Sequence, residues 1–156
     1  MAHIPLFYRI FFLYIDPLIC LSGVYLFFFD QHTFIQNGVP SVISSQISPT
    51  APLPPLTKHL ITACGSYSLF VFAMQILLLH PFKDAPNGLS VRIWRTVQFG
   101  ILLIDLGLLI GVYIDDPKAA LDVGGWGSGD WCNNGILGAV ALIRSAFLAG
   151  IGSVRR

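Results

Sequence analysis

Asp16, Asp105 and Arg144 stand near the middle of three long apolar stretches of a 156-residue chain, where lipid-soluble side chains are the rule. An ionised Asp or Arg at the centre of a membrane-spanning helix costs roughly 2.5–3.5 kcal/mol, so three lone charges cost about 8–10 kcal/mol together. Such residues are expected to turn inward and pair, or to become neutral. One guanidinium cannot pair one to one with two carboxylates. The composition of the trio therefore predicts one carboxylate ionised against Arg144 and the other driven to its protonated form by desolvation and its like-charged neighbour. Two acids divided in this way supply a general acid and a general base in one pocket.

Helical spacing extends the polar stripe. Gln98 precedes Asp105 by seven residues, two turns along one face, and Arg95 prolongs that face. Asn133 precedes Arg144 by eleven, and Gln75 falls at about the depth of Gln98, with Tyr14, Tyr67 and Ser68 as further candidates. The expected site therefore has Asp16, Asp105 and Arg144 as catalytic residues and Tyr14, Gln75, Gln98 and Asn133 as substrate-binding ones. Polar residues inside spans also hold helices together, through interhelical hydrogen bonds of about 0.6 kcal/mol each. Ala141, Ser145 and Ala149, spaced by four, have the look of a small-residue helix contact.

The elements that must position these residues are membrane helices. Hydrophobic residues make up 54% of the chain and charged residues 11%, against the roughly 25% charged of a soluble domain. The mean hydropathy is +0.72. A formal net charge of +1 offers no bulk basicity for nucleic acid. A spanning helix needs about 17–25 apolar residues, and four stretches qualify: 6–29, 57–80, 93–114 and 133–152. The fold class expected is an all-α membrane protein, a four-transmembrane-helix bundle forming one domain over residues 1–156. The first stretch lacks the basic n-region, short apolar core and small-residue cleavage site of a signal peptide. Pro17 is expected to kink it. By the rise of about 1.5 Å per residue, Asp16 and Asp105 lie about 15–18 Å from one face, and Arg144 reaches a similar level from the other.

The connections differ in kind. Residues 30–56 carry Pro40, Pro49, Pro52, Pro54 and Pro55, which predicts a long polar loop without helix or strand, of the length that often serves as a lid. Residues 81–92 form a short turn, and 115–132 a glycine-rich, aromatic, acidic loop. Four spans put both termini on one face with Lys83, Arg92, Arg155 and Arg156, while Lys58 and Lys118 lie on the other beside five aspartates. The excess of positive charge predicts cytosolic termini. Trp94, Trp126 and Trp131 fall near span ends, where indoles prefer to sit. Cys20, Cys64 and Cys132 form no CxxC pair and are expected to be packing thiols, and His3, His32, His59 and His80 make no spaced ligand pair. No nucleotide, haem or nucleophile-elbow motif is present, so no cofactor and no metal is expected.

The stretch Arg9-Ile-Phe-Phe-Leu-Tyr-Ile-Asp-Pro17 resembles the R-x-F-F-L-Y-I-[DE]-P opening of a family of small fungal integral-membrane proteins, a domain of unknown function. The helix from Asn133 to Arg144 is similar to that family's late Asn-to-Arg helix, and the likeness spans the whole chain. Asp16 takes the family's acidic position with Asp where Glu is more usual, which shortens the reach by one methylene. Some of these proteins are similar to small membrane proteins encoded beside polyketide and terpenoid pathways, which open or cyclise epoxides made by a flavin monooxygenase. The resemblance thus implies a membrane-bound epoxide hydrolase or cyclase of secondary metabolism at the endoplasmic reticulum, taking a lipophilic substrate from the bilayer. Larger membrane terpenoid cyclases that protonate epoxides with buried carboxylates are a likeness of chemistry and not of fold. The contrasting expectation is a non-catalytic scaffold that docks pathway enzymes, or a small transport protein. Four spans without an internal repeat make a poor alternating-access machine unless the chain forms a homo-oligomer.

Overall fold

The computed structural model describes residues 4–39, 44–48 and 50–152; His3, Pro40, Pro49, Arg155 and Arg156 lie outside them. Four helices are long and apolar enough to cross a membrane: α1 (Leu6–Phe29), α3 (Pro55–Leu79), α4 (Leu89–Asp115) and α6 (Ser128–Ala149). Two short helices join them, α2 (Gln31–Gly38) and α5 (Pro117–Leu121). No strand occurs among the described residues.

Helix α2 corrects the reading of residues 30–56 as helix-free. Asp30 caps it, its carboxylate accepting from the Thr33 amide at 3.2 Å, which satisfies one of the free donors of the first turn. The prolines that argue against helix all lie beyond Gly38, so none interrupts it. Three long helices begin before their expected starts, α4 at Leu89 among them, and the starts of α3 and α6 have a visible local cause. Pro54 and Pro55 enter the first turn of α3, where a missing N–H costs nothing. Helix α6 starts at Ser128, where the Asp130 carboxylate accepts from the Gly127 amide at 3.1 Å.

Pro17 acts on its helix through the hydrogen-bond register. A π turn occupies Phe11–Ile15, immediately before Asp16 and Pro17. The proline ring removes one N–H and crowds the carbonyl four residues earlier, and a wider turn is one way to accommodate both. Further π turns end α3 at Gln75–Leu79 and open α6 at Trp131–Gly135.

Helix α1 lies along α3, and α4 along α6; the π turns of α1 and α3 meet, and the latter also touches α4. Lipid tails are as apolar as leucine, so such pairs are held by close packing and polar contacts. Gly65 permits close packing: a Cβ there would lie 2.8 Å from Phe27 Cβ and 2.9 Å from Phe28 Cε2. The inward face of α4 is Val91, Trp94, Gln98, Ile101 and Asp105, alternating three and four residues apart. Trp94, Phe12, Phe147 and Leu79 are fully excluded from the surface and form the centre of the core. Leu103, Ile110 and Leu142 point outward, as lipid contact requires.

Three expectations are corrected by this packing. Trp94 is not a boundary indole but a core residue, because it stands one turn before Gln98 on the inward face. Ala141 is buried, but Ser145 and Ala149 face outward, so they form no internal small-residue seam. Cys20 packs inside, its thiol donating to the Ser68 carbonyl at 3.2 Å, whereas Cys64 and Cys132 are exposed.

The start of α1 and the end of α6 meet. Helix α6 closes with Gly150 at φ 79°, its N–H donating to the Phe147 carbonyl at 3.0 Å and that of Ile151 to the Ala146 carbonyl at 3.0 Å. Glycine adopts this left-handed turn without steric cost. The Tyr8 hydroxyl then donates to the Ile151 carbonyl at 3.0 Å, tying α1 to the end of α6.

Candidate functional site: a shared guanidinium inside the bundle

Asp16, Asp105 and Arg144 converge. Arg144 donates from Nη2 to both oxygens of Asp16, at 2.7 Å each. Its Nη1 donates to Asp105 Oδ2, and its Nε to Gln98 Oε1 at 3.0 Å. Gln75 Nε2 completes the group, donating to Asp16 Oδ2 at 2.5 Å. Four spans thus contribute to one network, and none of the five residues is more than 5% exposed.

Local structure explains the meeting. Asp16 follows the π turn of α1, and Gln75 opens the π turn of α3. Both belong to the stretches where those two turns touch. Gln98 and Asp105 share the inward face of α4. Arg144 reaches the group by its length. The Trp94 and Phe147 rings pack with centroids 6.4 Å apart, so Arg144, three residues before Phe147 on an antiparallel helix, stands about level with Val97. By the helical rise that is about 12 Å short of Asp105. Side chains lean towards the N-terminus of their own helix; Arg144 therefore extends along the bundle towards Asp105, while Asp105 leans back to meet it. Gln98 and Asp105 stand two turns apart on α4, and the Arg144 side chain spans that interval, with Nε at Gln98 and Nη1 at Asp105.

The expectation of one paired and one solitary carboxylate also changes. A single guanidinium serves both, because its five N–H groups fan out in a plane and its two faces of approach are separate. The trio carries a formal charge of −1 when both carboxylates are ionised. Such a charge inside a bundle has to be met by donors; Gln75 donates to Asp16, and Gln98 accepts from Arg144 Nε and so holds the guanidinium in place.

The remaining expected residues stand elsewhere. Tyr14 is exposed on the outside of α1, its ring 6.0 Å edge-on from that of His80. Asn133 is half-buried and donates to Asn134 Oδ1 at 3.3 Å, in the first turns of α6. Neither touches the network. Tyr67 is exposed. Arg95 lies one residue off the inward face of α4 and donates to the Leu148 carbonyl at the end of α6, a capping contact. Trp94 was missed as a polar residue: its Nε1 is buried without a hydrogen-bond partner among the described residues, as are Gln75 Oε1 and Gln98 Nε2. Its place four residues before Gln98 was the available signal.

Residues 1–153 match a family described as a domain of unknown function, DUF7704. The chain belongs to the DUF7704 family. No curated protein and no solved structure matched it.

Proposed function

We propose that this protein is a membrane-embedded acid/base enzyme that opens an epoxide of a lipophilic polyketide or terpenoid intermediate, by hydrolysis or by cyclisation to an ether. The observation that carries the reading is the placing of two carboxylates on one buried guanidinium, Asp16 and Asp105 on Arg144. One proton added to this trio brings its formal charge to zero. The carboxylic acid then donates that proton to the epoxide oxygen as the carbon–oxygen bond breaks. The carboxylate takes a proton from water, or from a substrate hydroxyl, as the new oxygen–carbon bond forms. The product is a diol or a cyclic ether. Atoms and charges balance without an oxidant, and passage of the proton between the two carboxylates restores the start. General acid and base action of this kind contributes about 10²–10⁴-fold each. The setting, fungal secondary metabolism at the endoplasmic reticulum, is part of the proposal and follows the likeness of the Arg9–Pro17 segment; cytosolic termini are proposed from the excess of Lys and Arg on their side.

A second reading has its own observation. Every member of the network is buried, as befits a polar clasp that fixes helix order in a non-catalytic scaffold or a small transport-related protein. The experiment that separates the two uses yeast microsomes carrying the protein, a panel of lipophilic epoxides and polyene epoxides, and ¹⁸O-water. Labelled diols or unlabelled cyclic ethers from the native chain, absent from folded Asp16→Asn and Asp105→Asn variants, support the enzyme. No turnover by the native chain, or equal turnover by the variants, removes it in favour of the scaffold.

A further inference from the structure

Two donors without a partner among the described residues stand one turn apart on the inward face of α4, Trp94 Nε1 and Gln98 Nε2, on residues with no exposed surface. Buried donors without an acceptor are rare in folded proteins, and two neighbours are rarer. The orientation of Gln98 is not arbitrary. Arg144 Nε can only donate, so Gln98 must offer it Oε1, at 3.0 Å, and the amide NH₂ is turned away. An indole N–H likewise donates and never accepts. Gln75 is fixed by the same logic: Asp16 already accepts from Arg144 through both oxygens, so Gln75 gives it Nε2 and keeps Oε1 unpaired.

The chemistry of the missing partner follows. A partner that serves both donors must accept hydrogen bonds beside Gln98, which itself holds Arg144 Nε, and the surroundings of Trp94 are aromatic: it packs edge-on against Phe12, with centroids 6.4 Å apart, and against Phe147. A carboxylate or phosphate there would add a charge to a trio that already holds two acids. We infer that Trp94 Nε1 and Gln98 Nε2 form a subsite for a neutral oxygen acceptor, an epoxide, ether or alcohol oxygen, which water occupies when none is bound. This deepens the epoxide reading, on which its role in turnover rests, by naming the residues that hold the reacting oxygen. Trp94 then becomes a substrate-binding residue.

The test does not depend on turnover. The protein is prepared with ¹⁵N-labelled tryptophan in phosphatidylcholine nanodiscs, and Trp94→Phe, which keeps a ring and removes the N–H, assigns the Trp94 indole resonance. The expected result is a hydrogen-bonded indole with an exchange cross-peak to water. Adding 1,2-epoxydodecane or dodecan-1-ol shifts the resonance and removes the cross-peak, while dodecane does neither. A resonance of an unbonded indole that none of the three moves overturns the inference. So does a water cross-peak that neither oxygen compound displaces, since the site then holds a structural water only. A response to the epoxide with no product in the ¹⁸O assay leaves the subsite standing and removes the enzymatic reading; product without a response does the reverse.

Discussion

Asp16 grips Arg144 through both carboxylate oxygens, at 2.7 Å each, across 128 positions of sequence. Asp105 takes a different nitrogen of the same guanidinium. This arrangement predicts an asymmetry among single variants. Asp16→Asn or Asp105→Asn leaves one carboxylate against one guanidinium, a balanced pair, and is expected to cost about 1 kcal/mol, the net worth of a hydrogen bond. Arg144→Gln leaves two carboxylates facing each other without a cation and is expected to cost about 3–5 kcal/mol, the usual penalty for an uncompensated buried charge. Thermal unfolding in detergent, read by near-ultraviolet circular dichroism, checks the order. Equal losses in all three variants would show that the trio is not a shared-cation unit.

Removing the whole unit should be milder than removing its centre. The triple variant Asp16→Asn/Asp105→Asn/Arg144→Met has no charge to desolvate, and replacing buried ion clusters with uncharged residues of similar size is often neutral or stabilising. Its melting temperature is expected to lie above that of Arg144→Gln and close to that of the native chain. Under the proposed epoxide-opening function, its turnover is expected to be nil. A triple variant less stable than Arg144→Gln would mean that the network supplies packing that neutral side chains cannot replace.

What was legible beforehand has a physical pattern. Four spans announce themselves by length and hydropathy, and the boundaries of α1, Leu6 and Phe29, match the expected ones. Asp16, Asp105 and Arg144 were legible as a group because a charge inside an apolar run must find a partner. Residues whose position depends on hydrogen-bond register were harder. The π turns before Asp16 and from Gln75 rotate everything beyond them, and an ideal helical wheel for α1 or α3 has no way to include them. Tyr14 falls inside such a turn, and it ends up outside the bundle. Arg95 was assigned to the polar face by counting back from Asp105, yet one residue of rotation sends it to the carbonyl of Leu148. Trp94 was read by its nearness to a span end, and helix α4 in fact starts four residues sooner, at Leu89, which carries the indole inward.

Close approach of α1 and α3 at Gly65 gives a third prediction. A Cβ added there meets Phe27 Cβ at 2.8 Å, a part of the side chain next to the backbone that cannot swing aside. Gly65→Ala is expected to push the helices apart and cost about 1–3 kcal/mol, as overpacking does. Gly107 is the control. A Cβ there meets nothing within 4 Å, and alanine favours helix over glycine by about 1 kcal/mol. Gly107→Ala should therefore melt at or above the native temperature. Matching losses at both positions would point to a general intolerance of substitution in these helices and not to the contact at Phe27.

The tie between the start of α1 and the end of α6 yields the last prediction. Tyr8 holds the Ile151 carbonyl from α1, and Arg95 holds the Leu148 carbonyl from α4, so the final turn of α6 is fastened from two sides. Tyr8→Phe keeps the ring stacked beside Phe12 and Phe147 and deletes only the hydroxyl. The expected cost is about 0.5–1.5 kcal/mol, concentrated in the amides of Gly150 and Ile151, which close the helix. Hydrogen exchange at those two amides should quicken by about 2- to 13-fold, since 1.4 kcal/mol corresponds to a factor of ten when exchange follows local opening. Amides around Arg144, one to two turns earlier, should keep their protection. Faster exchange throughout α6 would show that the terminal tie supports the whole helix and, with it, the position of the guanidinium.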